Sequence, residues 1–216
     1  MRLYLSSFRL GNHPLKLVEL TNGNMRAAIV INACDYQSNE ERSLRVQQEM
    51  DALKSLGFSP FELDLRLYFN IQQKQKKLRD VLADSGLIWA RGGNSFVLRR
   101  AMRISNFDEL VFDLLTRDAI AYGGFSAGMV MLTPSLCGVE LVDDPKIIPT
   151  DYDPNIIWQG LGLIPYAIAP HYKSDHPESA ATDNLVQYYI EKHVLFKALH
   201  DGEVIVIRGK HEEIVT

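Results

Sequence analysis

Cysteine is scarce in this chain of 216 residues: Cys34 and Cys137 are the only two, and they lie far apart. That excludes a disulfide framework and any cysteine-based zinc motif, and it leaves reduced, buried thiols as the expected state. Positive charge is not in surplus either, with 23 Lys and Arg against 27 Asp and Glu and a formal net charge of −4. The densest basic cluster, Lys74 to Lys77, reads as the solvated face of a helix, so nucleic acid is not an expected partner. No apolar run approaches the roughly 18 residues that a membrane span requires. The amino-terminal segment turns polar at Ser6-Ser7, too early for the apolar region of a signal peptide, so a cytoplasmic location without a membrane partner is the expectation. Repeats, low-complexity tracts and linkers are missing as well. What remains is 46% hydrophobic and 23% charged, the composition of a globular enzyme, in one domain spanning 1–216.

Short apolar runs alternate with longer amphipathic stretches, the pattern of β-α units around a mostly parallel sheet. The spacing predicts strands at Arg2–Leu5, Ala27–Ile31, Pro60–Leu63, Leu87–Ala90, Ile120–Tyr122 and Ala167–Ala169. It predicts helices at Glu40–Leu56, Gln73–Ala83, Ser95–Arg103, Phe107–Thr116, Ala127–Leu132 and Glu178–Glu191. In the first helix Leu44, Met50, Leu53 and Leu56 mark the apolar stripe. Near the carboxyl end, Phe196–Leu199, Val204–Ile207 and Glu213–Val215 read as adjacent strands divided by His200-Asp201-Gly202 and Arg208-Gly209-Lys210 turns. The longest irregular stretch, Pro134 to Trp158, is long enough to suggest an active-site loop.

The segment Gly124-Phe125-Ser126-Ala127-Gly128 follows a buried strand and precedes an apolar helix start. This is the spacing of a nucleophile elbow, in which flanking glycines let the backbone turn sharply around an exposed serine. A serine hydroxyl needs a base to take its proton and a group to orient that base. Of six histidines, His171 stands at the end of the strand Ala167–Ala169, where open α/β sheets collect ligand-binding residues. The orienting acid is Asp201, or one of the loop acids Glu140, Asp143 and Asp144. Asp201 ranks first because a strand end is a rigid platform. Gly92-Gly93-Asn94, between a strand and a helix, offers backbone N–H groups for an oxyanion, with the N–H of Ala127 as a second donor. The glycines lack the spacing of a dinucleotide fingerprint and no Walker lysine follows, so no cofactor is expected. No His/Cys/Asp cluster has metal-ligand spacing, so no metal is expected.

With those residues in view, the chain resembles the peptidase E family of serine peptidases, the aspartyl dipeptidases, whose wider relatives include cyanophycinase. The resemblance rests on Leu3-Tyr4-Leu5-Ser6-Ser7, Arg91-Gly92-Gly93-Asn94-Ser95-Phe96 and the Ser126 segment. It continues through Gly160-Leu161-Gly162-Leu163, Ala169-Pro170-His171-Tyr172 and Leu199-His200-Asp201-Gly202, nearly the whole chain in family order. It implies an α/β three-layer sandwich similar to class I glutamine amidotransferase domains, with a mostly parallel central sheet. It also implies a triad of Ser126 as nucleophile, His171 as general base and Asp201 as orienting acid, where the family's best-known member has glutamate. Gly93 and Ala127 would supply the oxyanion hole. The implied substrate is a short peptide with an N-terminal aspartate, and a homodimer is the candidate assembly. The segment from Ser174 to Leu185 contains no arginine and only His176 as a cation to read that aspartate, leaving Lys173 or Arg91 to compensate. Two rival readings remain: a non-peptidase hydrolase or amidase on the same scaffold, and a catalytically silent binding module.

Overall fold

The computed structural model describes residues 1–69 and 72–216, and the side chains at 72–76 lie outside the described set. The expected lysine face at Lys74 to Lys77 falls mostly outside it; Lys77 is exposed. Nine strands are described: β1 (Arg2–Ser6), β2 (Arg26–Val30), β3 (Ser59–Glu62), β4 (Leu87–Ala90), β5 (Ala121–Phe125), β6 (Ala167–Ala169), β7 (Phe196–Ala198), β8 (Val204–Arg208) and β9 (His211–Val215). Seven α-helices are α1 (Pro14–Leu20), α2 (Asn39–Ser55), α3 (Gln72–Ala83), α4 (Ser95–Ile104), α5 (Phe107–Thr116), α6 (Ala127–Val130) and α7 (Ser179–Glu191).

Seven strands form the central sheet in the order β3-β2-β4-β5-β1-β8-β9. The first five run parallel, whereas β8 and β9 are antiparallel additions. Successive side chains on a strand point to opposite faces, and here both faces are buried. Leu3, Leu5, Ala28, Val30, Ile88, Ala90 and Tyr122 pack into one cluster with α4, α5 and α6. Tyr4, Ala27, Ile29, Leu87, Trp89 and Ala121 pack into the other with α1 and α2. Burial on both sides is why these strands read as continuous apolar runs, and it makes the α/β domain a three-layer sandwich.

Three expectations need correction. Helix α1 was not anticipated; it opens on Pro14, a residue suited to the first helical turn because its missing N–H has no partner there anyway. Helix α2 begins with a capping box, in which Glu41 N–H donates to Ser38 Oγ and Ser38 N–H donates to the Glu41 carboxylate. Its buried residues are Arg42, Glu49 and Leu53, while Leu44 is exposed. Glu49 is buried because Trp89 Nε1–H donates to its Oε2 at 2.8 Å, so the polar residue belongs to the core face. Finally, β7 does not lie beside β8. It pairs in parallel with β6 in a separate two-stranded sheet, with Ala169 opposite Ala198.

Candidate active site

All parallel strands of the central sheet end on the same edge, and there β1, β4 and β5 release Ser7, Arg91-Gly92-Gly93 and Ser126 side by side. Ser126 holds φ 48° and ψ −120°, a conformation that L-residues with a Cβ rarely adopt. The strain therefore sits on the serine, whereas Gly124 and Gly128 keep ordinary φ and serve a different purpose. A Cβ on Gly124 would lie 2.7 Å from Ala90 O, and one on Gly128 would lie 2.0 Å from the same oxygen. The two glycines let the elbow and α6 press against β4. On the other side, a Cβ on Gly92 would meet Ser126 Cβ at 3.0 Å, so Gly92 forms a bare wall against the serine.

Among the described residues, the N–H groups of Gly92, Gly93 and Ala127 donate to no protein acceptor. Gly93 has φ +143°, and its missing Cβ leaves room for Ala33 O, which a Cβ would approach to 2.6 Å. Asn94 is a correction to the sequence reading: it is committed to structure. Its N–H donates to Ala33 O at 2.9 Å, its Oδ1 caps Val97 N–H at 2.9 Å, and its Nδ2 donates to Asp144 O at 2.9 Å.

The parallel register of β6 and β7 delivers His171 and Asp201 to one end of the small sheet. His171 Nδ1 lies 2.7 Å from Asp201 Oδ1. With Nδ1–H donated to the carboxylate, the lone pair is left on Nε2, the tautomer a general base requires. The hydroxyl of Ser7 ties the pair together, accepting His171 N–H at 2.8 Å and lying 2.9 Å from Asp201 Oδ1. Asp201 N–H donates in turn to Ser174 Oγ at 2.8 Å. His171 holds a left-handed φ of 61° and is almost fully buried, with the ring of Phe8 edge-on to it at 5.7 Å. Burial pulls the imidazole below its ordinary pKa, against the opposing pull of the Asp201 carboxylate, so the neutral base is favoured. Among the described residues, no hydrogen bond joins Ser126 Oγ to His171; serine–histidine bonds of this kind tighten as the Michaelis complex forms.

The carboxylate nearest His171 Nε2 is Glu178, with Oε2 at 3.8 Å. Burial, then the fields of Asp143 and Asp201, push the Glu178 carboxyl up to about 7. His176 stacks flat on His171, ring centres 3.7 Å apart and planes within 7°. Its Nδ1 accepts Glu178 N–H at 3.2 Å. The fold thus assembles what sequence spacing did not: His171, His176 and Glu178 bring three ligand atoms within 4.8 Å of one another. These residues do not fit a metal as they stand. An imidazole lone pair lies in the ring plane, and two stacked parallel rings cannot both aim at one ion about 2 Å away.

Of the alternative acids, Glu140 accepts Gly138 N–H at 2.6 Å, and Asp144 accepts Lys146 N–H at 2.8 Å. Asp143 accepts Ser95 N–H at the start of α4 at 2.8 Å, and burial raises its carboxyl above the usual range. None of the three touches His171. Arg91, a candidate aspartate reader, pairs with Glu49 at 3.1 Å and donates to Gly92 O at 2.9 Å. Lys173 Nζ sits 5.2 Å over the Tyr172 ring. Sequence reasoning missed the roles of Ser7, Phe8 and Glu178. The only signal was the HisProGlu run at 176–178, whose meaning depends on His171 folding back onto it.

Comparison with known proteins gives a consistent result. The family model described as Peptidase family S51 matches residues 21–215. An uncharacterized peptidase of Listeria monocytogenes serovar 1/2a is 28% identical over 179 residues, covering 82% of this chain and 80% of the relative. A protein of Drosophila melanogaster named a probable alpha-aspartyl dipeptidase is 26% identical over 165 residues, covering 74% of this chain and 62% of its own length. A crystal structure described as a candidate peptidase E from Listeria monocytogenes EGD-e superposes with a TM-score of 0.77. It is 23% identical and covers 99% of this chain and 97% of its own, which establishes the shared fold.

Proposed function

The chain belongs to peptidase family S51 and is a serine peptidase, and from that premise we propose that Ser126, His171 and Asp201 form its catalytic triad and cleave short peptides through an acyl-enzyme. In this reading Ser126 Oγ attacks the scissile carbonyl carbon as its proton passes to His171 Nε2. The tetrahedral oxyanion is received by the N–H groups of Gly93 and Ala127. The imidazolium is stabilised by Asp201, then hands its proton to the departing amine. Water repeats the sequence on the acyl-Ser126 ester and frees the enzyme.

The observation that carries the reading is the 2.7 Å contact between His171 Nδ1 and Asp201 Oδ1, which supports a base that donates Nδ1–H to the carboxylate and keeps its lone pair on Nε2. The aspartyl preference named for the Drosophila relative requires a cation to meet the side chain. Here Arg91 is neutralised by Glu49, and Asp143, Glu178 and Asp201 gather at the cleft. With Arg91 so held, Lys173 is the candidate cation left to meet an aspartate side chain, and the acidic cleft favours a neutral or basic first residue over aspartate.

The test combines labelling with a dipeptide panel varied at the first residue. A fluorophosphonate is expected to modify wild-type protein and not Ser126→Ala, and His171→Ala is expected to lower kcat/KM by at least about a thousandfold while the fold persists. Labelling that survives in Ser126→Ala would remove the triad, and no labelling at all would return the silent-module reading.

A further inference from the structure

The nucleophile and its base stand on different sheets. Ser126 follows β5 of the central sheet, whereas His171 and Asp201 come just after β6 and β7, which pair with each other in a sheet of their own. Reacting groups must be held to within about 0.5 Å of their productive geometry, since a displacement of about 1 Å can cost about a hundredfold in rate. Ser7 spans the gap between the sheets. It follows β1, whose parallel register with β5 sets Ser6 opposite Phe125 and brings Ser7 and Ser126 out of neighbouring strand ends. Its N–H donates to Glu203 O at 3.0 Å, and its fully buried hydroxyl meets both His171 and Asp201. Resting on the serine-peptidase reading, we propose that Ser7 is a positioning residue of the triad, its hydroxyl holding the His171–Asp201 pair in place against Ser126.

A hydroxyl suits this place because it accepts and donates at once. The backbone N–H of His171 can only donate, and it donates to Ser7 Oγ at 2.8 Å, which leaves the Ser7 proton free for a carboxylate. Asp201 Oδ1, at 2.9 Å, is nearer than the other acceptor within reach, Leu199 O, at 3.3 Å. The same Oδ1 takes the Nδ1–H of His171 at 2.7 Å. Backbone and ring of one histidine are thus tied to one carboxylate oxygen through a closed circuit of hydrogen bonds, whose members polarise one another.

His171 needs such a tie. Its φ of 61° is a state that residues with a Cβ keep only where their surroundings impose it. Among the described residues, Ser7 Oγ is the one acceptor of its backbone N–H. Without that acceptor the buried N–H is left unpaired, and the left-handed turn loses its anchor. The backbone then relaxes and carries the imidazole away from Ser126. Phe8, next in the chain, sets its ring edge-on to the imidazole at 5.7 Å and limits the ring from a second side. Having no exposed surface, the Ser7 side chain works through His171 and Asp201, so its loss falls on the bond-forming step and spares affinity.

The experiment times fluorophosphonate modification of Ser126 over a range of reagent concentrations, which separates the maximal rate from the half-saturating concentration, with thermal melting alongside. Ser7→Ala and Ser7→Cys are expected to lower the maximal rate at least about tenfold and to change the half-saturating concentration less than about threefold. Ser7→Thr keeps the hydroxyl and is expected to recover most of the rate, even where its extra methyl lowers the melting temperature. Ser7→Cys fills nearly the serine's volume with a weak S–H, so it separates the hydrogen bonds from the packing should Ser7→Ala fail to fold. A folded Ser7→Ala or Ser7→Cys that reacts at the wild-type rate would overturn the assignment and leave the triad intact. So would a rate loss shared equally by a folded Ser7→Thr. Absence of labelling in wild type would instead overturn the triad, and the task of Ser7 with it.

Discussion

At the scale of the residue, the site concentrates unfavourable states that have a use. Ser126 and His171 both hold positive φ, and a buried imidazole faces a carboxyl with a raised pKa. The titration of His171 can be read in an experiment. In the proposed mechanism a protonated His171 cannot accept the serine proton, and burial places its pKa below the ordinary 6.5. Labelling of Ser126 by a neutral phosphonylating reagent is therefore expected to decline on acidification with a midpoint below pH 6.5. A decline with its midpoint above pH 6.5 would contradict a depressed imidazole in the role of base. Ser126 and His171 stood out as candidates in the sequence because each follows a short buried strand. Ser7 was not, because its meaning lies in a hydrogen bond to His171 across 164 positions.

At the scale of the element, the same glycines acquire a reason the motif alone does not give. Pattern reading assigns the elbow glycines to a sharp turn, yet the turn strain falls on Ser126, and Gly128 is demanded by the approach of α6 to β4. A Cβ at 128 would sit 2.0 Å from a backbone oxygen that cannot rotate away, so Gly128→Ala must lift α6 and the Ala127 N–H with it. Gly128→Ala is expected to destabilise by about 3 kcal/mol or more and to cut kcat/KM beyond about tenfold. Gly162→Ala serves as the control. It meets open space, and its φ of +62° carries only the backbone penalty of about 1–2 kcal/mol, with activity kept. Equal losses in the two variants, measured by thermal melting and kinetics, would mean that α6 has room to spare. The strands of the central sheet were readable within a residue or two, apart from β5, which runs three residues past the expected Tyr122 to Phe125, because burial on both faces leaves continuous apolar runs. β7 was misplaced because its length and turns resemble those of a hairpin strand. Only tertiary pairing shows that it joins β6, and that pairing brings Asp201 to His171.

At the scale of the whole molecule, the cleft depends on how the long loop between Pro134 and Trp158 is held against the sheet edge. Its length marked it in the sequence as a site element, but the residues that fix it come from distant segments and carry no local signature. Tyr152 O–H donates to the buried carboxylate of Asp35, itself paired with Arg42 at 2.6 Å. Arg100, on α4 and fully buried, donates to three loop carbonyls: Pro145 at 2.7 Å, Asn155 at 3.0 Å and Ile147 at 3.3 Å. The same loop carries Asp143, which seats the first N–H of α4 and raises the carboxyl of Glu178. Removing the Arg100 guanidinium leaves those carbonyls without their donor, whereas its aliphatic stem is replaceable. Arg100→Met keeps most of the volume, so its cost isolates the hydrogen bonds and is expected to be about 2–4 kcal/mol in denaturant unfolding. Because the loop is then tethered mainly through Asp35 and α4's first turn, limited proteolysis should cut faster between Pro145 and Asn155 than elsewhere. Ser126 labelling should persist, since β1, β4, β5 and the β6-β7 pair that hold the proposed triad do not use Arg100. Unchanged stability and an unchanged cleavage pattern would show that the loop is secured by packing rather than by this buried cation.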